Sequence, residues 1–450
     1  MYRSVLRQRS SPARLRGIFA AGAAALLLVG VASAPAAAET PSSPGMVNPD
    51  FYDPPAELPR TDGALVRTEP LPLAVSLPSI GGKRLPGTAT RLMYKTTDSN
   101  GEPAAVTGAY IEPAAPWRGG GERPLVALAP GTMGQGDQCA ASMGLERPIA
   151  LSDDSVSVGY EDIAIYRLLT RGVGVVVTDY VGLGTTDRLH TYVNRVDGGH
   201  ALLDAVRAAR SLPGTSITAE SPVGLYGYSQ GGGASGAAVE MQPAYAPDVR
   251  LAGAYVGAPP ADLVEVIEGI DGSALAGALG WSLNGFLQAE PDLRLIAEEY
   301  LNDAGASALE DLSTMCVGDG IFGHGFARSS TWTSTGQTLG GIVQTEPRIR
   351  EVLDEQRLGT EKPSTAVRVA TGAQDDIVPH AQVQRLAADW CARGAEVTYV
   401  PIQLPDLGEG LLTNHLAPLL TDQDQAISWL IDRLAGEPAS TNCASASGQA

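Results

Sequence analysis

A short apolar run, Pro222-Val223-Gly224-Leu225-Tyr226-Gly227, passes without a linker into Tyr228-Ser229-Gln230-Gly231-Gly232-Gly233-Ala234 and a small-residue stretch reaching about Met241. An extended segment that turns straight into a helix leaves few architectures open. So sharp a corner crowds its flanks, and glycines at 227 and 231 are what the backbone requires if the Ser229 hydroxyl is to project above a sheet with helix amides behind it. In a chain with 53 glycines the pentapeptide alone is weak, because a helix start that merely packs closely has the same spelling. The surrounding pattern decides its weight.

That pattern alternates strand and helix signals. Thr88–Thr97 and Ala104–Ile111 suit paired strands around a Ser99-Asn100-Gly101 turn, while Leu125–Ala129 and Gly172–Asp179 read as interior strands rich in aliphatic residues. Asp162–Thr170 and His200–Arg210 have helical periodicity, and further apolar strands follow at Leu251–Gly257, Thr365–Thr371 and Glu396–Pro401. The alternation predicts an α/β fold with a mostly parallel central sheet flanked by helices. Between Pro259-Pro260 and about Arg350 the strand signal stops. Leu263, Val266, Ile267 and Ile270 form one stripe there, and Leu283, Phe286 and Leu287 add an apolar cluster near Trp281, which predicts a helical cap. Most of these side chains are expected to pack the cap onto the core, with some left to line a tunnel for an acyl chain. Gly318-Asp319-Gly320-Ile321-Phe322-Gly323 spells GxGxxG, but no strand leads into it and it reads as loop.

The 450 residues can hold one large domain with an insertion, and 44% hydrophobic residues against 18% charged exclude wholesale disorder. A net charge of −19 leaves no basic surplus for a nucleic acid partner. Five arginines before residue 17, an apolar stretch Ile18–Val31 and Ala36-Ala37-Ala38 read as a cleavable export signal; as a membrane anchor the stretch is short and padded with alanine and glycine. The expected organisation is a signal peptide over 1–38, a Pro-rich leader over 39–62, a core from 63–258 and 351–436, a cap over 259–350 and a tail over 437–450. Free extracellular release is expected. Cys139, Cys316, Cys391 and Cys443 make an even count in an oxidising compartment, which suggests two disulfides with three pairings open. Their wide spacing, with no HExxH helix, argues against a metal site, and no cofactor is expected.

A serine hydroxyl is a poor nucleophile at neutral pH and needs a base held by an acid, which in this architecture follow it in the order acid, histidine. Of five histidines, His190 and His200 precede Ser229 and His324 precedes the loop Gly372-Ala373-Gln374-Asp375-Asp376-Ile377-Val378-Pro379, which offers the acid. His380 is too near those acids in sequence to reach back across a site. His415, expected in a loop before a helix over 423–434, is the base selected.

Gly227–Ala234 (GYSQGGGA), Ala129–Ser142 (APGTMGQGDQCAAS) and Asp375–Pro379 together resemble the secretory lipase family, and the similarity runs from about residue 65 to 445. The resemblance implies an α/β-hydrolase fold with the helical cap inserted after the sixth strand. By position it makes Ser229 the nucleophile, Asp375 the acid and His415 the base, with Asp376 a variable neighbour. It also implies that Cys139 pairs with Cys316 and Cys391 with Cys443. The expected activity is a secreted serine esterase or lipase acting on acyl-glycerol-type esters, with oxyanion donors at the amides of Gln230 and of Thr132 or Met133. Lipid or small-ester substrates and transient contact with lipid surfaces follow, while oligomeric state is left open. An acyltransferase or serine peptidase shares the same machinery, and a catalytically silent lipid-binding protein shares the fold.

Overall fold

The computed structural model describes residues 49–78, 84–152, 155–443 and 446, so the signal peptide expected over 1–38 lies outside the described residues. The nine-stranded sheet is built from β1 (Leu65–Leu71), β2 (Gly87–Thr97), β3 (Pro103–Pro113), β4 (Leu125–Ala129), β5 (Gly174–Thr178), β6 (Val223–Tyr228), β7 (Leu251–Gly257), β8 (Val367–Gly372) and β9 (Val397–Ile402). Its spatial order is β1-β2-β3-β5-β4-β6-β7-β8-β9. The first three strands run antiparallel and β3 meets β5 antiparallel; every pairing from β5 onward is parallel. The edge strand β1 carries no apolar strand signature, because Leu65–Leu71 includes Arg67, Glu69 and Pro70 and only Leu71 is buried. Edge strands need only one buried face and so lack a strong apolar signature.

Burial on both faces explains the aliphatic interior strands. Val175, Val176 and Val177 of β5 are fully buried, each contributing about 1.5–3 kcal/mol relative to exposure. On one face, Val223 and Leu225 of β6 pack with α2 (Arg195–Ser211), α3 (Gln230–Tyr245) and α11 (His380–Ala392). On the other face, Tyr226 and Tyr228 pack with α1 (Asp162–Thr170) and α12 (Thr413–Leu434). The alternation of Cβ directions along one strand thus binds three layers together.

Between β7 and β8 the chain forms seven α-helices: α4 (Leu263–Ile270), α5 (Gly277–Ala289), α6 (Leu293–Tyr300), α7 (Asp303–Leu312), α8 (Val317–His324), α9 (Leu339–Thr345) and α10 (Pro347–Glu355). With edge strand β1 set aside, this cap follows the sixth of the remaining eight strands. The GxGxxG segment expected as loop is helix α8. Its start is capped by the Asp319 carboxylate, which accepts the Cys316 amide at 3.0 Å, and Gly320 lets the buried Trp281 ring approach: a Cβ there would lie 2.6 Å from the ring. Gly320 thus serves packing.

Both ends of the chain take part in the fold where they are described. Within the Pro-rich leader, Phe51 and Tyr52 are buried, and the Arg91 guanidinium stands 5.4 and 5.3 Å from their ring centres. In the tail, Asn442 Nδ2 donates to the Tyr399 carbonyl and its Oδ1 accepts the Tyr399 amide, both at 2.7 Å, so the tail lies along strand β9. Cys443 then bonds to Cys391 of α11.

One buried ion pair locks helix to sheet: Arg368 of β8 bonds Asp422 of α12, and each is 4% exposed. Removing one partner of such a pair strands the other charge in a dry interior. Asp422→Ala is expected to lower unfolding stability by about 3 kcal/mol in denaturant titrations, and combining Arg368→Met with Asp422→Leu to recover most of that loss.

Candidate active site

Ser229 sits between the end of β6 and the start of α3 with φ 59° and ψ −123°, a conformation that costs about 1–3 kcal/mol for a residue with a side chain. Its surroundings over-determine it. The Ser229 amide donates to the Gly257 carbonyl at 2.9 Å, and its own carbonyl accepts the Gly233 amide at 3.0 Å. The corner also demands its two glycines, since a Cβ at Gly227 would overlap the Gly231 carbonyl and one at Gly231 the Ala129 carbonyl. The strand, the helix start and the loop after β4 are therefore in backbone contact at the serine.

Asp375 and His415 come together from β8 and α12. Their side chains bond at 2.7 Å between Asp375 Oδ2 and His415 Nδ1, with the residues 5% and 2% exposed. An ionised carboxylate only accepts, so Nδ1 is the donor in this bond. Asp375 Oδ1 accepts the amides of Ile377 and Val378 at 3.2 and 3.0 Å, which folds Asp375-Asp376-Ile377-Val378 into a tight turn. Asp376, its neighbour, accepts the Gly410 amide, and the Gly410 carbonyl accepts the cap amide of Ala274 at 2.7 Å. The histidine is tied to the serine corner through Tyr228, whose hydroxyl donates to the His415 carbonyl at 2.7 Å.

His415 differs from expectation in its setting, lying in the first turn of α12 and not in a loop before a helix over 423–434. Pro418 reads as a helix stop, yet so near the start it removes only the donor to the Asn414 carbonyl. The ring instead packs on Gly372, where a Cβ would lie 2.6 Å from Pro418 Cγ. The other histidines have structural partners. His380 bonds the Gly372 carbonyl at 3.1 Å and the Tyr399 hydroxyl at 3.0 Å, His200 bonds the Thr97 carbonyl at 2.8 Å, and His324 stands 3.9 Å from Asp311.

The expected oxyanion donors flank the corner. Gln230 begins α3, and its side chain donates to His190 Nε2 at 2.9 Å and to the Tyr192 carbonyl at 3.2 Å. Thr132 follows β4; its hydroxyl pairs with the Tyr192 hydroxyl at 2.7 Å and its carbonyl accepts from Tyr160 at 3.0 Å. Met133 is buried, and its carbonyl accepts the Val317 amide at 2.8 Å. Beside it, Cys139 is disulfide-bonded to Cys316, which staples this loop to the cap. Nothing local in the sequence marks His190, Tyr192 or Tyr160 for these contacts, which exist only in the folded chain.

Ser229 and Gln230 also help wall an apolar cavity. Ile377 and Val378 of the acid turn contribute, and the remaining wall is mainly aliphatic and aromatic side chains of α4, α5, α6, α9 and α10, among them Val266 and Phe286. Among the described residues, no group of three or more His, Cys, Asp and Glu side chains is placed to hold a metal ion.

A mostly parallel sheet of this order, with a strained serine at the strand-to-helix corner after β6 and a helical cap after β7, defines an α/β-hydrolase. The chain matches the secretory lipase family over residues 145–442, more than half its length, and it belongs to that family. It is 29% identical to Lipase 2 of Candida albicans over 410 residues, covering 88% of this chain and 82% of the relative. It is likewise 29% identical over 391 residues to a Mycobacterium tuberculosis protein described as a probable inactive lipase, covering 86% and 82% of the two chains. In fold it resembles Candida antarctica lipase A, with a TM-score of 0.72 at 19% identity over 88% of this chain and 89% of the other. Family membership supports a lipase or esterase with lipid or ester substrates.

The brace beneath Gln230 has a pH signature. Burial pulls the His190 imidazole down to about 4, so it is neutral at physiological pH, with Nδ1–H donating to the Val181 carbonyl at 2.9 Å and Nε2 accepting from Gln230. Its ordinary value is near 6.5, so between about pH 6.5 and 4 the unfolded chain holds a proton that the folded chain does not. The resulting stability is full above about 6.5 and is lost as pH falls through about 4. Melting curves should therefore show His190→Asn losing less stability than the unsubstituted protein between these two pH values.

Proposed function

We propose that the protein is an exported serine carboxylester hydrolase of lipase type, working through an acyl-enzyme on Ser229. The observation that carries this reading is the buried Asp375–His415 hydrogen bond at 2.7 Å, tied through Tyr228 to a corner where Ser229 is strained toward an apolar cavity. His415 Nε2 takes the hydroxyl proton as Ser229 Oγ attacks the ester carbonyl. Asp375 keeps the imidazole oriented and stabilises its protonated form. The tetrahedral oxyanion receives the Gln230 amide at the start of α3 and a second amide, from Thr132 or Met133. His415 then protonates the departing alcohol, and a water that it deprotonates attacks the acyl-enzyme, freeing the acid and restoring Ser229.

The cavity bears on substrate class. Its largely hydrocarbon wall suits a medium or long acyl chain, with residues 259–350 acting as a cap unit on a core of 63–258 and 351–436. Export rests on the N-terminal signal pattern and on the two disulfides, which persist in oxidising compartments. The relative described as a probable inactive lipase keeps one other reading in play, a lipid-binding protein without turnover.

Rates for p-nitrophenyl esters from butyrate to palmitate decide between them. Turnover that Ser229→Ala lowers by about a thousandfold or more supports the hydrolase; fatty-acid binding with no turnover supports the carrier. Ala297→Trp, placed in the α6 wall of the cavity, should cut palmitate turnover at least about tenfold while leaving butyrate nearly unchanged.

A further inference from the structure

The loop between β4 and the Cys139–Cys316 staple is held almost one peptide plane at a time. In the Pro130–Gly131 peptide, the carbonyl accepts from the Tyr180 hydroxyl at 2.6 Å and the amide donates to Glu161 Oε1 at 2.8 Å. In the Thr132–Met133 peptide, the carbonyl accepts from the Tyr160 hydroxyl at 3.0 Å. The carbonyl and amide of a trans peptide point in opposite directions, so each of these contacts fixes where the other end of its plane faces. With the planes before and after it pinned, the Gly131–Thr132 peptide has little rotation left.

The same loop abuts the serine corner. A Cβ at Gly131 would lie 2.6 Å from the Tyr160 hydroxyl and 3.3 Å from the carbonyl of Tyr228, and one at Gly231 would lie 2.9 Å from the Pro130 carbonyl. Glu161 is costly where it stands. It is 5% exposed, and burial, with Asp162 beside it, pushes its carboxyl up to about 7 against the lowering effect of the Gly131 amide. Tyr160, Tyr180, Tyr226 and Tyr255 also lie within its electrostatic reach, and no cationic side chain is ion-paired to it among the described residues. A carboxyl in such a place opposes stability, so its presence calls for a different account.

We propose that Glu161, seconded by the neighbouring Tyr160 hydroxyl, is a positioning residue for ester hydrolysis: it anchors the Gly131 amide so that the amides of Thr132 and Met133 face the oxyanion formed at Ser229. The proposal rests on the hydrolase reading above. Glu161 acts on the loop and not on the substrate, and Oε1 keeps a lone pair for Gly131 whether or not the carboxyl is protonated. The requirement is therefore for an acceptor atom, which glutamine supplies and leucine does not.

Steady-state kinetics on p-nitrophenyl butyrate, with melting curves and inhibition by an alkyl trifluoromethyl ketone, test this in the full-length protein. Glu161→Leu should lower kcat about thirtyfold with KM changed less than about threefold, and weaken the inhibitor, which forms a tetrahedral adduct, by a similar factor. Glu161→Gln should stay within about threefold of the unsubstituted enzyme, and Tyr160→Phe should lose about tenfold in kcat. Glu161→Leu with unchanged kcat, Glu161→Gln as impaired as Glu161→Leu, or a loss carried by KM would overturn the proposal. Should Glu161→Leu not fold, full activity in Tyr160→Phe overturns it alone. An unsubstituted protein with no esterase activity overturns this role and the hydrolase reading together, whereas an active one with indifferent variants overturns only the role of Glu161.

Discussion

The positive φ of Ser229 is the constraint to which the rest of the structure answers. A residue with a Cβ holds φ 59° and ψ −123° only when its neighbours leave no relaxed alternative. Here the amide and carbonyl on its two sides are both bonded, the flanking glycines admit backbone atoms where side chains would collide, and the strand before it is buried on both faces. The sheet supplies rigidity for this one corner. This corner puts Ser229 on the wall of the cavity, and on the proposed mechanism it also sets the Gln230 amide at the helix start to meet developing charge.

Around that corner the cap behaves as part of the site. The Cys139–Cys316 bond and the Val317–Met133 hydrogen bond fasten it to the loop after β4, and the path from Asp376 through Gly410 to Ala274 fastens it to the turn that carries Asp375. The cap thus reaches both the loop expected to bind the oxyanion and the turn that holds the acid. Its helices meanwhile turn apolar side chains toward the cavity they help enclose. On the proposed mechanism, a displacement of the cap would be felt at Ser229 and Asp375 as well as along the cavity, which would couple substrate fit to the positions of the reacting groups.

Much of this was legible in the residues. Interior strands announce themselves through aliphatic runs such as Gly174–Thr178, and the serine corner through its glycines, because both features answer to local backbone geometry. Strand β1 was hidden because an edge needs few apolar residues, and helix α8 because its Gly320 accommodates Trp281, a partner distant in sequence. Pro418 concealed the start of α12, since a proline's cost depends on what its ring packs against. Among the histidines, order along the chain singled out His415, which the structure bonds to Asp375, yet the same reasoning set His190 aside as preceding the serine. His190 supports Gln230 through a contact that exists only after folding. Glu161 and Tyr160 were invisible for the same reason: bracing a loop leaves no pattern in sequence.

The central claim is that Ser229 is the activated nucleophile of this fold. Brief treatment of the native protein with a fluorophosphonate, followed by peptide mass mapping, tests it directly. The account predicts stoichiometric modification confined to the peptide containing Ser229, and its disappearance when His415 is replaced by alanine. Modification of a different serine, or none in a correctly folded and disulfide-bonded protein, would contradict it.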